Sequence, residues 1–175
     1  YDKETAQFFF EIGMPCLGWR LHLPRKAAFD PDKARALSVP LPMWKTLQKG
    51  ETVTVDDRTI RPEDVMGAPR QGITVLYATD TRPVDAIPDL GFRCDLMILE
   101  GMYGSEEKYP LAVKNHHMLY REAAALARDA EAGRLLLTHF STSIEDPAEF
   151  IDNAREIFPD TDIAEDGMTI TLQYP

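Results

Sequence analysis

Residues 73–83 read ITVLYATDTRP, and this stretch decides the fold. Its first six residues form a short, largely apolar run, which predicts a buried strand. Two similar runs follow at 95–99 (DLMIL) and 134–138 (RLLLT). A helix is predicted between them over about 117–131, because apolar residues recur there on one helical face. Strands that alternate with helices predict an α/β layered domain.

Turn and cap signals predict the outer elements. Residues 52–60 alternate apolar and polar residues around two aspartates, which predicts a hairpin. Two Asp-Pro pairs, at 30–31 and 146–147, predict helix starts, because aspartate caps a helix and proline suits its first position. Two short closing strands are predicted near 162–164 and 168–173.

Composition and charge narrow the classes of protein. The chain has 175 residues, of which 44% are hydrophobic and 27% charged, which fits one globular domain. We expect a cytoplasmic protein, because no signal peptide, membrane span or disulfide framework is visible. The net charge of −10 argues against nucleic-acid binding. Residues 20–49 are basic, however, with seven lysines and arginines against two aspartates. This segment could contact phosphates, or it could simply be a solvated surface.

Acidic and imidazole side chains follow the predicted strands. Asp80 follows the first strand, Glu100 ends the second and His139 follows the third, while His117 lies at the predicted helix start. The carboxyl ends of parallel strands collect ligand sites, so these groups are expected at one edge of the sheet. Imidazole and carboxylate suit zinc, manganese or iron. A lone histidine after an apolar run is more often a core residue, so the pattern alone leaves the chemistry open.

Several segments resemble one family in order and spacing. Residues 80–83 (DTRP), 137–141 (LTHFS) and 117–124, with its His-x-x-x-x-Glu-Ala-Ala pattern, resemble motifs of ribonuclease Z, which trims 3′ trailers from precursor tRNA. The segments 50–53 and 61–65 resemble its region before the aspartate strand. The resemblance extends from about residue 13 to residue 172.

The resemblance implies a fold and a set of roles. Residues 1–175 would form a single domain, the C-terminal half of a metallo-β-lactamase αβ/βα sandwich with a mixed sheet flanked by helices. An arm-like insertion at about 22–49 would grip precursor tRNA. The complete site would hold two zinc ions. The implied residues are Asp80 and His139 as metal ligands, His117 and Glu122 as catalytic residues, and Arg25, Lys26, Lys45 and Ser141 as substrate contacts.

Two departures from the family pattern predict an incomplete metal site in this chain. The four histidines do not form the family's HxHxDH motif, and Ile12 stands where another histidine ligand is expected, with Glu11 beside it. Three hypotheses remain: part of a tRNA 3′ endonuclease with an incomplete site, an inactive homologue that binds RNA or protein, and another hydrolase of the same fold. A missing N-terminal half or a homodimer would cover the apolar face that half a sandwich exposes.

Overall fold

The computed structural model describes the backbone of residues 2–9 and 15–175, and side chains from residue 16 onward. Ile12, which stands at the expected ligand position, and the neighbouring Glu11 lie outside the described residues. The chain divides into two compact units, one of Tyr1–Pro24 with Ile73–Pro175 and one of Arg25–Gly72. The single domain over 1–175 stays a prediction, and most of the predicted arm falls within the second unit.

Strands and helices alternate along most of the described chain. The strands are β1 (Asp2–Phe9), β2 (Pro15–Arg25), β3 (Val53–Val55), β4 (Arg58–Ile60), β5 (Arg70–Ala78), β6 (Leu96–Glu100), β7 (Leu135–Thr138) and β8 (Thr161–Ile163). The helices are α1 (Pro31–Ala36), α2 (Leu41–Gln48), α3 (Ala86–Leu90), α4 (Tyr109–Asn115), α5 (Tyr120–Asp129) and α6 (Ile151–Arg155), with short 3₁₀ turns between some of them.

The larger unit is built on a six-stranded mixed sheet. Its strand order is β1-β2-β5-β6-β7-β8, with β1 antiparallel to β2 and with β5 to β8 parallel to one another. The register pairs Ala78 with Leu99 and Leu99 with Leu137, so the carboxyl ends of β5, β6 and β7 meet at one edge. The predicted α/β class, the mixed sheet and the parallel arrangement of these three strands are confirmed.

One face of this sheet is covered by helices. Alternate residues of β5, β6 and β7, among them Leu76, Met97 and Leu135, are fully buried in a core shared with α3, α5 and α6. Truncating a buried leucine to alanine costs about 2–5 kcal/mol. This core therefore stabilises the strand ends that carry the site residues.

The opposite face carries an exposed row of large apolar side chains. Successive side chains of a strand point to opposite faces, and Cys16 packs against the core. The alternate residues of β2 therefore point away from the helices, and their exposed fractions lie between 38% and 49%. We call this row the β2 stripe; it consists of Leu17, Trp19, Leu21 and Leu23.

One predicted boundary and one predicted strand are wrong. The helix predicted from residue 117 begins at Tyr120, because Leu119 has extended backbone (φ −80°, ψ 159°) and acts as the N-cap. The second closing strand, at 168–173, does not form. The amide of Met168 donates to the carbonyl of Glu165 and forms a turn. Further along the tail, the Tyr174 hydroxyl donates to the carbonyl of Pro24, 3.2 Å away.

The Arg25–Gly72 unit has its own small core around Leu47, Val53 and Val65. The predicted hairpin is confirmed as β3 and β4, and its two turn aspartates both have positive φ, 47° and 64°. That backbone geometry is the one that two-residue hairpin loops favour. Asp30 caps α1 as predicted, by accepting from the amide of Lys33. Among the described residues, none lies in a helix that is both long and apolar enough to cross a bilayer.

Candidate metal centre

Three short turns present the candidate ligands. Asp80 follows β5 and His139 follows β7, and both have left-handed backbone, with φ of 58° and 55°. His116 ends α4 with φ 63°, and this turn brings His117 to the same edge of the sheet. Non-glycine residues rarely adopt this conformation, although aspartate and histidine do so more readily than most. Three such turns at one edge indicate a functional site.

The predicted residues Asp80, His117 and His139 lie together. One ligand atom from each side chain lies within 4.8 Å of the ligand atoms of the other two. His139 Nε2 is 3.3 Å from Asp80 Oδ1, and the two imidazole centroids are 5.4 Å apart. Asp80 is the most exposed of the three, with 62% of its side chain accessible, so the group opens to solvent on its side.

Glu100 lies beneath this group and connects its parts. Its side chain is fully buried at the end of β6. Oε1 accepts from the amide of Thr81 at 2.7 Å, and Oε2 lies 2.8 Å from His117 Nδ1 and 3.9 Å from His139 Nδ1. Burial raises the pKa of Glu100 to about 7. The sequence predicts that Glu100 lies at the end of a buried strand, at the carboxyl edge of the sheet, but it assigns no specific catalytic or metal-binding role to this residue.

His117 favours its neutral form in this setting. Burial lowers the pKa of His117, while the nearby Asp80 carboxylate acts in the opposite direction. The positive end of a helix dipole would also disfavour the imidazolium, but α5 begins only at Tyr120, so burial is the main cause. A neutral imidazole can accept a proton or bind a metal ion.

Glu122 has structural partners on both carboxylate oxygens. Arg82 forms a two-pronged ion pair with it, in which Nη1 donates to Oε2 at 2.7 Å. Oε2 also accepts from the amide of Leu119 at 2.9 Å, which caps the start of α5. The catalytic role of Glu122 stays a prediction.

The predicted substrate contacts fall in two places. Ser141 lies two residues beyond His139, and its hydroxyl is 2.8 Å from that of Ser143. Lys26 and Lys45 are exposed and Arg25 is partly buried, and all three belong to the Arg25–Gly72 unit. Their roles in substrate binding stay predictions.

The donor set fits a metal ion. Two imidazole nitrogens and one carboxylate oxygen are the ligand types of zinc and of related transition metals. The sequence predicts two protein ligands, Asp80 and His139, whereas the structure brings a third potential ligand, His117, within reach of them. Catalytic zinc sites usually have three protein ligands, so this group could hold one ion.

Glu100 makes the stability of the metal-free chain depend on pH. Its pKa rises from 4.5 to about 7 on folding, so between these values only the folded chain binds the proton. The resulting contribution of Glu100 to the stability of the folded chain is complete below pH 4.5 and is lost as the pH rises through 7. Glu100→Gln removes this titration. The difference in free energy of unfolding, variant minus wild type, should therefore rise by roughly 1–3 kcal/mol from pH 4.5 to pH 8.

Urea unfolding in the presence of a chelator would measure this difference. His117 has a lowered pKa, so its own contribution to stability is present above pH 6.5 and is lost at lower pH, opposite in direction to that of Glu100. A difference that stays constant between pH 4.5 and pH 8 would contradict the proposed burial of an ionisable carboxyl group.

Comparison with known proteins assigns this fold to a superfamily. A sequence profile described as "Beta-lactamase superfamily domain" matches residues 17–140. The chain belongs to this superfamily. A ribonuclease Z from Lachnospira eligens is 45% identical over 171 residues, which cover 98% of this chain and 56% of that protein. A ribonuclease Z from Clostridium acetobutylicum is 44% identical over 165 residues, covering 94% and 53%. The predicted resemblance to ribonuclease Z is confirmed.

Solved structures support the same fold. The short form of human tRNase Z superposes with a TM-score of 0.54 at 18% identity, over 98% of this chain and 43% of that one. The chain spans about half the length of the curated relatives that it matches.

Proposed function

We propose that this chain supplies part of the active site of a metal-dependent endoribonuclease of the ribonuclease Z type, which processes the 3′ ends of precursor tRNA in the cytoplasm. The observation that carries the proposal is the convergence of Asp80, His117 and His139 at the carboxyl ends of parallel strands. The identity of 45% with a ribonuclease Z supports the choice of substrate class.

We further propose that zinc is the metal, held by Asp80 and His139, with His117 facing the reacting phosphate. In the isolated chain His117 would serve as the third ligand of one ion. In the complete site the remaining half would supply further ligands and leave His117 free, and a bound metal pair would supply a hydroxide near neutral pH and stabilise negative charge on phosphate. The neutral His117 would carry a proton, and Glu100 Oε2, 2.8 Å from its Nδ1, would fix the orientation of the ring.

The Arg25–Gly72 unit is proposed to contact RNA phosphates. It contains nine lysines and arginines against seven acidic residues, whereas the rest of the chain contains ten against twenty-two. Phosphate contacts require cations, so a locally basic unit in an acidic chain suits substrate positioning. Arg25, Lys26 and Lys45 are the proposed contacts, together with Ser141 beside the metal centre.

A fusion protein would test this function. The half of the Lachnospira eligens ribonuclease Z that this chain does not match would be joined to the chain and assayed on precursor tRNA with zinc. We expect cleavage at the 3′ end by the fusion and none by either part alone. A folded, zinc-loaded fusion that binds precursor tRNA without cutting it would favour an inactive RNA-binding homologue. Cleavage of a simple phosphodiester or ester, but not of tRNA, would favour another hydrolase.

The β2 stripe is proposed to contact the remaining half of the protein, or a second copy of the chain when that half is absent. Trp19→Lys with Leu21→Lys should therefore reduce self-association of the isolated chain. Each large apolar side chain contributes about 1.5–3 kcal/mol on burial, so the dimer dissociation constant should rise at least about tenfold.

Sedimentation velocity over a concentration series would measure this change. Phe92→Lys is the matched control, because Phe92 is 51% exposed but lies outside the stripe. A wild-type chain that stays monomeric at high concentration would exclude the homodimer. If Phe92→Lys weakens association as much as the stripe variant does, the β2 stripe is not the interface.

A further inference from the structure

Arg82 is a half-buried cation for which the proposed function gives no role. It lies two residues beyond Asp80 on the loop that follows β5. Only 20% of its side chain is exposed, and its guanidinium lies over the ring of Tyr109, 5.6 Å from the centroid. A half-buried arginine is costly unless its donors are satisfied, so its partners are informative.

Its partners lie on the turn that carries His117. Arg82 Nη1 donates to the carbonyl oxygen of His117 at 2.6 Å and to Glu122 Oε2 at 2.7 Å, and Nη2 pairs with Glu122 Oε1. These contacts join positions 35 and 40 residues apart in the sequence. One guanidinium therefore links the Asp80 loop directly to the backbone of His117.

Glu122 extends this link to the other side of His117. Its Oε2 accepts from the amide of Leu119 at 2.9 Å, two residues beyond His117. The backbone is thus held at the His117 carbonyl by Arg82 and at the Leu119 amide by Glu122. The imidazole itself is held separately, by Glu100.

We propose that Arg82, acting through Glu122, is a positioning residue that sets the spacing between Asp80 and His117. The ion pair fixes the Asp80 loop against the His117 turn, and so holds the ligand atoms of the metal centre within reach of one another. Arginine suits this role because its planar fork can bond a carboxylate at two points and a carbonyl at a third, which a lysine ammonium cannot reproduce. The inference rests on the proposed function only in taking the metal centre as the site that is positioned.

Zinc affinity of the full chain, measured by competition with a chromophoric chelator, tests this role. Residues that support metal ligands typically change affinity by roughly 10–100-fold. We expect Arg82→Met to weaken zinc binding by about that factor, and Arg82→Lys to restore part of the loss. Arg134→Met is the matched control, because Arg134 also pairs with a carboxylate, Asp162 at 2.7 Å, outside the candidate centre. It should lower thermal stability without changing zinc affinity.

A metal-free measurement separates this inference from the proposed metal centre. The ¹H–¹⁵N signals of the His117 ring should shift or broaden in Arg82→Met and stay unchanged in Arg134→Met. If the wild-type chain binds no zinc, the metal proposal fails and these ring signals alone decide the role of Arg82. Glu122→Gln, which keeps the side-chain shape, replaces Arg82→Met if that variant does not fold. Unchanged ring signals in a folded variant, or an equal loss of zinc affinity in Arg134→Met, would overturn the inference.

Discussion

Asp80→Asn is expected to weaken zinc binding by the chain by at least about 100-fold. Even the residues that merely support metal ligands change affinity by roughly 10–100-fold, so loss of a charged ligand should cost more. Asp80 lies 3.3 Å from His139 Nε2 and is the carboxylate of the candidate group. Asparagine keeps the shape and tolerates the left-handed backbone at this position, φ 58°, so the fold should be retained.

Competition with a chelator would measure the affinity, and circular dichroism would confirm folding. Asp85→Asn is the matched control, because Asp85 is an exposed aspartate further along the same loop whose side chain does not cap α3. Zinc that binds Asp80→Asn as tightly as wild type would show that the ion is held elsewhere in the chain.

His117→Ala is expected to lower the turnover rate of the fusion protein on precursor tRNA by about 10²–10⁴-fold, the usual contribution of a general acid or base. The imidazole is half-buried, its neutral form is favoured, and Glu100 orients it toward the group that contains Asp80. Because it would act on the reacting groups, the loss should appear in kcat, and KM should change little.

His22→Ala provides the control, because His22 lies in β2 outside the Arg25–Gly72 unit and forms a hydrogen bond of 2.8 Å with Thr74 on the neighbouring strand. Steady-state rates over a range of tRNA concentrations would separate kcat from KM. A loss confined to KM would assign His117 to substrate binding, and an unchanged rate would remove it from the mechanism.

The central strands and the position of the site could be predicted because both depend on local signals. β5, β6 and β7 are short apolar runs, and a sheet of parallel strands brings their carboxyl ends together whatever the details of packing. This is why Asp80 and His139 could be placed at one edge from the sequence.

The details of the site depend on contacts between distant residues, which no local pattern reports. The Arg82–Glu122 pair joins residues 40 apart, and the position of His117 depends on a left-handed turn at His116. Apolar periodicity extended the helix back to residue 117, but Glu122 caps the amide of Leu119 and α5 begins at Tyr120.

Two elements were missed although the sequence contains signals for them. Leu17, Trp19, Leu21 and Leu23 alternate along the chain, which is typical of a strand with one covered face. α2 follows Pro40 and contains Pro42, and prolines are often taken as helix breakers. Proline in the first turn of a helix is favourable, because that amide has no partner within the helix.

The placement of residues 25–72 between β2 and β5 has a consequence for how this protein family can diversify. β2 and β5 are neighbours in the sheet, so the segment is a connection between two adjacent strands. The entropic cost of closing such a loop grows only slowly with its length. Insertions, deletions or exchange of this segment can therefore change the proposed RNA contacts without disturbing the strand ends that carry Asp80, Glu100 and His139.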